Sequence, residues 1–246
     1  MDLAERVAVA CRVLGRLDLT RGAHGHVSAR LPGTDHILIR ARGPAERGVR
    51  YTTGDEILVV DLDGRPVKKN NEDLSVPQEV FIHTEIYRAR PDMYSVIHIH
   101  PPTLVLFTVC DVPLLPIFGA YDPSSARFAL EGVPVFPRSI LINSPERGRA
   151  LVGAMGSADT CLMRGHGITT AGACVELAAL AAIRLNELAV MNYQARLLGS
   201  PQPIPEEDRD EILAMGSRRS RPAEGGPLAG SEAAIWRYYC ELTAAL

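Results

Sequence analysis

Hydrophobic and polar positions recur along this chain with two periods, and their order predicts a mixed fold. Residues 3–17 set Leu3, Val7, Val9, Ala10, Val13 and Leu14 close to a helical period. A glycine loop, Thr20-Arg21-Gly22-Ala23-His24-Gly25, follows. His26–Leu31 reads as a strand, joined through Pro32-Gly33 to a second strand, His36–Arg40. A loop rich in Gly and Arg (residues 41–53) leads to a third strand, Glu56–Asp61, with a turn at Asp63-Gly64. Pro77-Gln78-Glu79 opens a helix that runs to Arg90, and Pro91 marks its end. The next strand reaches His100, Pro101-Pro102 stops it, and Thr103–Cys110 is a short helix.

Residues 111–138 are proline-rich, with short apolar pieces. Ser144 is an N-cap with Pro145 at the first helical position, for a helix to Met155. Thr160–Met163 is a strand that leads to His166 and a tight glycine turn. A long helix covers 173–198 and a shorter one Glu206–Met215. Ser217–Gly230 reads as a linker, and Ser231 as the cap of a last helix carrying Trp236, Tyr238 and Tyr239. Successive strands with tight turns predict a mainly antiparallel sheet, and the helices between them predict an α/β domain. That domain is expected over residues 1–216. Residues 217–246 are expected to form a linker and a C-terminal helix that packs at a subunit interface.

The chemistry of the chain centres on histidine. In Tyr94-Ser95-Val96-Ile97-His98-Ile99-His100, side chains alternate across a strand, so His98 and His100 share a face. His166 stands in Arg164-Gly165-His166-Gly167, after the apolar run Cys161-Leu162-Met163. Three neutral imidazoles converging from strand ends fit an open catalytic metal site, whose fourth position is free for water or substrate. Glu79 has two readings at this point: a first-turn charge favoured by the helix dipole, or a carboxylate that moves a proton near a metal-bound substrate. His83 lies four residues after Glu79 on the same helix face, as a support for the site or as a surface residue.

Composition narrows the class. The 246 residues suffice for a full hydrophobic core, and 46% hydrophobic with 22% charged residues is ordinary for a globular domain. A net charge of −3 offers no broad basic surface for nucleic acid. No apolar run approaches membrane-spanning length, and the first residues carry no signal-peptide core. The five cysteines are odd in number, widely spaced and without a CxxC pair, which argues against a disulfide framework or a cysteine-rich zinc site. They fit reduced packing residues of a cytoplasmic protein.

Four segments together resemble the class II aldolase/adducin family: Gly25-His26-Val27-Ser28-Ala29-Arg30, Pro77-Gln78-Glu79-Val80-Phe81-Ile82-His83, Arg90-Pro91-Asp92 running on to His98-Ile99-His100, and Arg164-Gly165-His166-Gly167. The resemblance spans roughly residues 5–200, with the motifs in the family's order. It implies a three-layer αβα fold and a homotetramer with active sites at subunit interfaces. It also implies one divalent metal on His98, His100 and His166, with Glu79 doing proton transfer. Zn2+ or Mn2+ is expected, and Fe2+ or Co2+ also suits three histidines.

The substrate segments depart from the sugar-phosphate aldolases of that family. Where those resemble one another in a cradle of Asn, Ser and Thr donors, this chain has Gly25-His26, Arg42-Gly43 and Pro77-Gln78. Phosphate recognition relies on such donors, so a carboxylate substrate is expected instead, bound by His26, Arg42 and Gly43. Arg42 leads a set that includes Arg40, Arg47 and Arg50, because guanidinium forks bind carboxylates bidentately. Arg30 is expected to be structural. The pattern is similar to the family's decarboxylases of hydroxylated aromatic or heteroaromatic carboxylates. The implied reaction is loss of CO2 from a metal-chelated hydroxy acid, with Glu79 protonating the carbanion or enolate. An aldolase acting on a non-phosphorylated keto substrate, a metal-dependent dehydratase and an adducin-like interaction module are the alternatives. Tyr121 sits where aldolases carry a loop tyrosine that acts across an interface, with Tyr238 and Tyr239 as substitutes. Glu187 is read as a support for a metal ligand or as a solvated acid.

Overall fold

The computed structural model describes residues 1–67, 73–217, 225–226 and 228–244. Its strands are β1 (His26–Arg30), β2 (His36–Arg40), β3 (Ile57–Asp61), β4 (Ser95–Ile99), β5 (Val135–Phe136), β6 (Thr160–Met163) and β7 (Gly167–Gly172). Its helices are α1 (Leu3–Arg16), α2 (Val80–Ala89), α3 (Pro102–Val109), α4 (Pro123–Glu131), α5 (Pro145–Met155), α6 (Val175–Leu198), α7 (Glu206–Ser217) and α8 (Gly230–Ala244). The strands form one sheet in the order β3-β2-β1-β4-β7-β6-β5. Every pairing is antiparallel except β5 with β6.

The period-two alternation of the strands divides the core between the two faces. Val27, Ala29, Ile97, Ile99 and Ile168 pack with α1, α3 and α6. Ile37, Ile39, Leu58, Val60, Val96 and Met163 pack with α2 and α5 on the other face. The result is the expected α/β three-layer arrangement. The even-numbered positions of β4 and β1 point toward α2, and this sends His26, Ser28 and His98 into the α2 side of the sheet. A smaller cluster of Phe118, Ala126, Leu188 and Ile212 joins α4, α6 and α7.

Four differences from the sequence expectations have physical causes. Strand β7 lies where only a glycine turn was expected after His166. Its sequence, Gly-Ile-Thr-Thr-Ala-Gly, is buried throughout, so no polar alternation marks it. Helix α4 and the short β5 occupy the proline-rich stretch 111–138, where the sequence reading placed no element. Asp122 caps α4 by accepting from the N–H groups of Ser124 and Ser125 at 3.0 and 3.1 Å, with Pro123 at the first position. Helix α8 begins at Gly230, so Ser231 lies inside its first turn rather than capping it. Glu79 precedes α2 as its cap residue rather than lying within the first turn.

The expected linker falls partly outside the described residues. Helix α8 itself docks on its own chain: Trp236, Tyr239 and Cys240 lean on the α1 core, and Arg184 of α6 pairs with Glu232 at 2.8 Å. Arg6 of α1 and Glu176 of α6 form a bidentate pair with both distances 2.7 Å, tying the two helices together.

Candidate metal centre

Strand pairing builds the site. His26 lies directly opposite His98 in the β1–β4 register, and His98 lies opposite Thr169 of β7. His98 is fully buried, and its Nδ1–H donates to the Ile168 carbonyl at 3.0 Å. That bond fixes the tautomer and turns the Nε2 lone pair inward. His100 stands one residue beyond β4, with its Nε2 2.9 Å from the Nε2 of His98. His166 closes the β6–β7 turn, its ring centroid 4.8 Å from that of His98 and 5.1 Å from that of His100. Gly167 makes this approach possible, because a Cβ there would collide with the Ile99 carbonyl and come within 2.6 Å of His100 Cδ2.

Glu79 completes the group from the opposite layer. Its side chain makes no capping bond to its own helix. Instead Oε1 accepts the backbone N–H of Ile142 at 2.9 Å, and Oε2 lies 3.4 Å from His166 Nε2 and 3.6 Å from His98 Nε2. The reading of Glu79 as an ordinary helix-end charge therefore fails. Burial raises its pKa, but the neighbouring His166 and His98 rings, with the Ile142 N–H, outweigh burial and hold it well below the usual carboxylate range. Burial also lowers the pKa of His98, and it brings His100 down to about 3, helped by the charges of His98 and His166.

These four side chains fit a divalent cation. Their ligand atoms lie within 4.8 Å of one another. Both ring nitrogens of His166 are buried without a hydrogen-bond partner, an orphaned state that a coordinate bond would relieve. The His98 and His100 Nε2 atoms face each other at close range, where two neutral lone pairs repel unless a proton or a cation lies between them. The donor set of three imidazoles and a carboxylate suits Zn2+ and other first-row ions. His100 and His166 are only partly buried, which leaves an approach from solvent.

A second polar group lies beside the four. His26 Nδ1 is 2.6 Å from His83 Nε2, and His83 Nδ1 is 2.6 Å from Ser28 Oγ. Ser28 Oγ is also 2.8 Å from the Tyr87 hydroxyl and 3.2 Å from the Val96 carbonyl. Burial pushes His83 down to about 3 and His26 well below its ordinary value, so both rings are neutral. His83 is completely buried, which removes the surface reading and makes it a partner of His26. The sequence carried one signal for this group, the Glu79–His83 helical spacing. Ser28 and Tyr87 gave none.

The arginine loop is more structural than the sequence implied. Arg40 is buried and donates to Thr52 Oγ1 at 2.9 Å, to the Ala23 and Gly25 carbonyls at 3.1 and 3.3 Å, and to Glu46. It thereby anchors the loop that carries His26. Arg42 Nε pairs with Glu46 at 2.8 Å, and its backbone bridges Ser75. Gly43 lies against the Asp73 carbonyl, where a Cβ would be 2.8 Å away. Arg30 donates to the Tyr87 carbonyl at 2.7 Å and stacks over the Tyr87 ring, a structural position. Tyr121 is 79% exposed, with its ring edge-on to Phe118 rather than within the histidine cluster. Glu187 accepts from the Tyr239 hydroxyl at 3.1 Å, so it supports α8 and not a metal ligand. Tyr238 is exposed.

Comparisons with known proteins agree with this architecture. The family model for the class II aldolase and adducin N-terminal domain matches residues 5–193. A 3,4-dihydroxyphthalate decarboxylase of Arthrobacter keyseri is 39% identical over 215 residues, covering 86% of this chain and 86% of that protein. The protein of the same name from Rhodococcus jostii (strain RHA1) is 41% identical over 214 residues, covering 86% of this chain and 88% of that protein. The solved structure of L-fuculose 1-phosphate aldolase from Glaciozyma antarctica PI12 superposes with a TM-score of 0.78 at 18% identity, covering 99% of this chain and 88% of that one. That likeness speaks for the fold. By sequence the chain stands nearer to the decarboxylases than to this sugar-phosphate aldolase, and it belongs to the class II aldolase and adducin family.

Proposed function

We propose that this protein is a metal-dependent carbon–carbon lyase that decarboxylates a hydroxylated aromatic or heteroaromatic carboxylate. The observation that carries the reading is the complete cluster of Glu79, His98, His100 and His166, in a chain about 40% identical to decarboxylases of a dihydroxylated aromatic diacid. A non-catalytic interaction module has no use for four converging ligands with an orphaned buried imidazole.

His98, His100 and His166 are the metal ligands of this proposal, with Zn2+ or Mn2+ as the resident ion. When bound, the ion would supply a Lewis acid that draws electron density from the substrate's oxygens. The protein's own groups supply the rest. Glu79 is ionised at neutral pH, so it first accepts the proton of a substrate hydroxyl. The bond between ring carbon and carboxylate then breaks, CO2 leaves, and its electron pair stays on the ring. Glu79 returns its proton to that carbon, and the oxygen that gave it takes up one proton from solvent, which balances the step. The Ile142 N–H keeps one carboxylate oxygen fixed, so the other is aimed at the reacting face. Arg42, whose Nε pairs with Glu46, binds a second substrate carboxylate with its terminal nitrogens, beside Gly43.

Residues 1–216 form the catalytic unit of this proposal, and the outer face of α8 meets a partner subunit in a homotetramer. Exposed Tyr238 on α8 supports that placement, and Tyr121 then reaches the site of a neighbouring subunit. Five free cysteines, three of them buried, fit a reducing cytoplasm. Among the described residues no helix is long and apolar enough to cross a membrane, so the partners proposed are a small carboxylate and copies of this chain. The test is CO2 release from hydroxylated aromatic diacids by the metal-loaded protein. Aldehyde release from hydroxy-keto acids without CO2 would replace decarboxylation with aldol cleavage.

A further inference from the structure

A directional chain of hydrogen bonds begins beneath the sheet and ends beside the metal centre. Ser28 has a single hydroxyl hydrogen. The Val96 carbonyl, 3.2 Å from Ser28 Oγ, can only accept, so all three contacts of Oγ are hydrogen bonds only when that hydrogen goes to Val96. In that arrangement the Ser28 lone pairs accept from both remaining neighbours, the Tyr87 hydroxyl at 2.8 Å and His83 Nδ1 at 2.6 Å. A neutral His83 with its hydrogen on Nδ1 has a lone pair on Nε2. Across the 2.6 Å contact, His26 must therefore donate from its Nδ1. That leaves His26 with a bare lone pair on Nε2, which makes no hydrogen bond to any described residue. His26 is the cross-strand partner of His98, on the same face of the sheet, with ring centroids 5.3 Å apart.

We infer that Tyr87, Ser28 and His83 are positioning residues that lock His26 in its Nδ1–H form, so that its Nε2 accepts a hydrogen bond from a substrate hydroxyl that keeps its proton. This deepens the decarboxylase reading and rests on it for the identity of the substrate. The consequence is selectivity by hydrogen-bond polarity. A hydroxyl or ring N–H satisfies the acceptor. A carboxylate or phosphate oxygen placed there sets lone pair against lone pair in a buried site, and is rejected. The family position that resembles a phosphate-binding amide in sugar-phosphate aldolases becomes here a device that selects a neutral donor.

The first test needs neither substrate nor metal. Long-range proton–nitrogen correlation spectra of the histidine-labelled full-length protein distinguish the two neutral tautomers, and a His26→Gln variant assigns the His26 signals. The expected spectrum shows His26 and His83 both protonated at Nδ1. In His83→Phe, or His83→Asn should the first not fold, His26 should lose its fixed tautomer. A wild-type His26 protonated at Nε2 overturns the inference, and so does a tautomer unchanged in a folded His83 variant. The second test uses metal-loaded protein with salicylate and its ring-hydroxylated derivatives, all of which chelate through the same pair of groups. At least one extra hydroxyl should tighten binding roughly tenfold, the worth of one good hydrogen bond, and the His83 variant should lose that gain at unchanged metal content. An equal gain in both proteins overturns the inference. Absence of CO2 release would overturn the proposed reaction while leaving the tautomer result intact, so the two failures are distinguishable.

Discussion

Glu79 and Ile142 are joined across the α2–α5 layer by a 2.9 Å hydrogen bond from the Ile142 N–H to Oε1. The bond uses one oxygen of the carboxylate for position and leaves Oε2 for chemistry. Glu79→Gln keeps the size and an acceptor for Ile142 but cannot take up a proton. Its expected effect is a loss of turnover of roughly a hundredfold or more, while metal content stays near that of the wild type because three imidazoles remain. Parallel turnover and elemental analysis check it. Loss of metal together with activity would make Glu79 a required ligand instead.

The orphaned nitrogens of His166 predict that metal binding and folding are linked. Added Zn2+ or Mn2+ should raise the melting temperature of metal-stripped protein, and the gain in unfolding free energy should reach about 3 kcal/mol at a hundred times the dissociation constant. His98→Ala and His166→Ala should abolish that gain. Thermal melts with and without chelator decide the matter.

Gly167 sets the distance between β7 and β4, and so between His166 and His100. Gly167→Ala forces β7 away from the Ile99 carbonyl. It should cost about 1–3 kcal/mol of stability and weaken metal binding as well. Denaturant melts and metal titration of the variant test both effects.

Acid should destabilise the protein through His83. Its folded pKa, pushed down to about 3 by burial, lies below the ordinary 6.5. Between those values the unfolded chain binds a proton that the folded chain refuses, so stability falls as pH drops from 6.5 to about 3. Wild type should lose about 1.4 kcal/mol per pH unit more than His83→Gln across that window. Identical slopes in the two proteins would contradict a buried neutral His83. Glu176 adds a second acid-sensitive contact. Burial raises its pKa, but the hydrogen bond and charge of Arg6 outweigh burial and lower it. Its stabilisation is present above the unfolded value of 4.5 and disappears as pH falls through the lowered folded value. Glu176→Gln should therefore cost about 2–3 kcal/mol at neutral pH, with the difference from wild type shrinking in acid.

The parts of the site that were legible in the sequence are those written locally. His98-Ile99-His100 shows its common face through strand alternation alone, and the apolar run Cys161-Leu162-Met163 marks the strand that leads to His166. Parts assembled from distant segments were not legible. Ser28 meets His83 and Tyr87 only when α2 is laid over β1, and no spacing in the chain encodes that meeting. Strand β7 escaped notice because its Thr and Gly residues are buried on both faces, so it lacks the polar alternation that marks a half-exposed strand. The arginine loop misled in the opposite direction. Arg40 looks like a ligand-binding fork in sequence, yet in the fold it satisfies the carbonyls of the loop that carries His26.

The most direct measurement is CO2 release from a panel of hydroxylated aromatic and heteroaromatic diacids by metal-loaded wild type, Glu79→Gln and His98→Ala. The account predicts release by the wild type, with one solvent-derived hydrogen at the vacated carbon, and loss of release in both variants. Release that survives His98→Ala, or aldehyde formed from hydroxy-keto acids with no CO2 from any diacid, would contradict it.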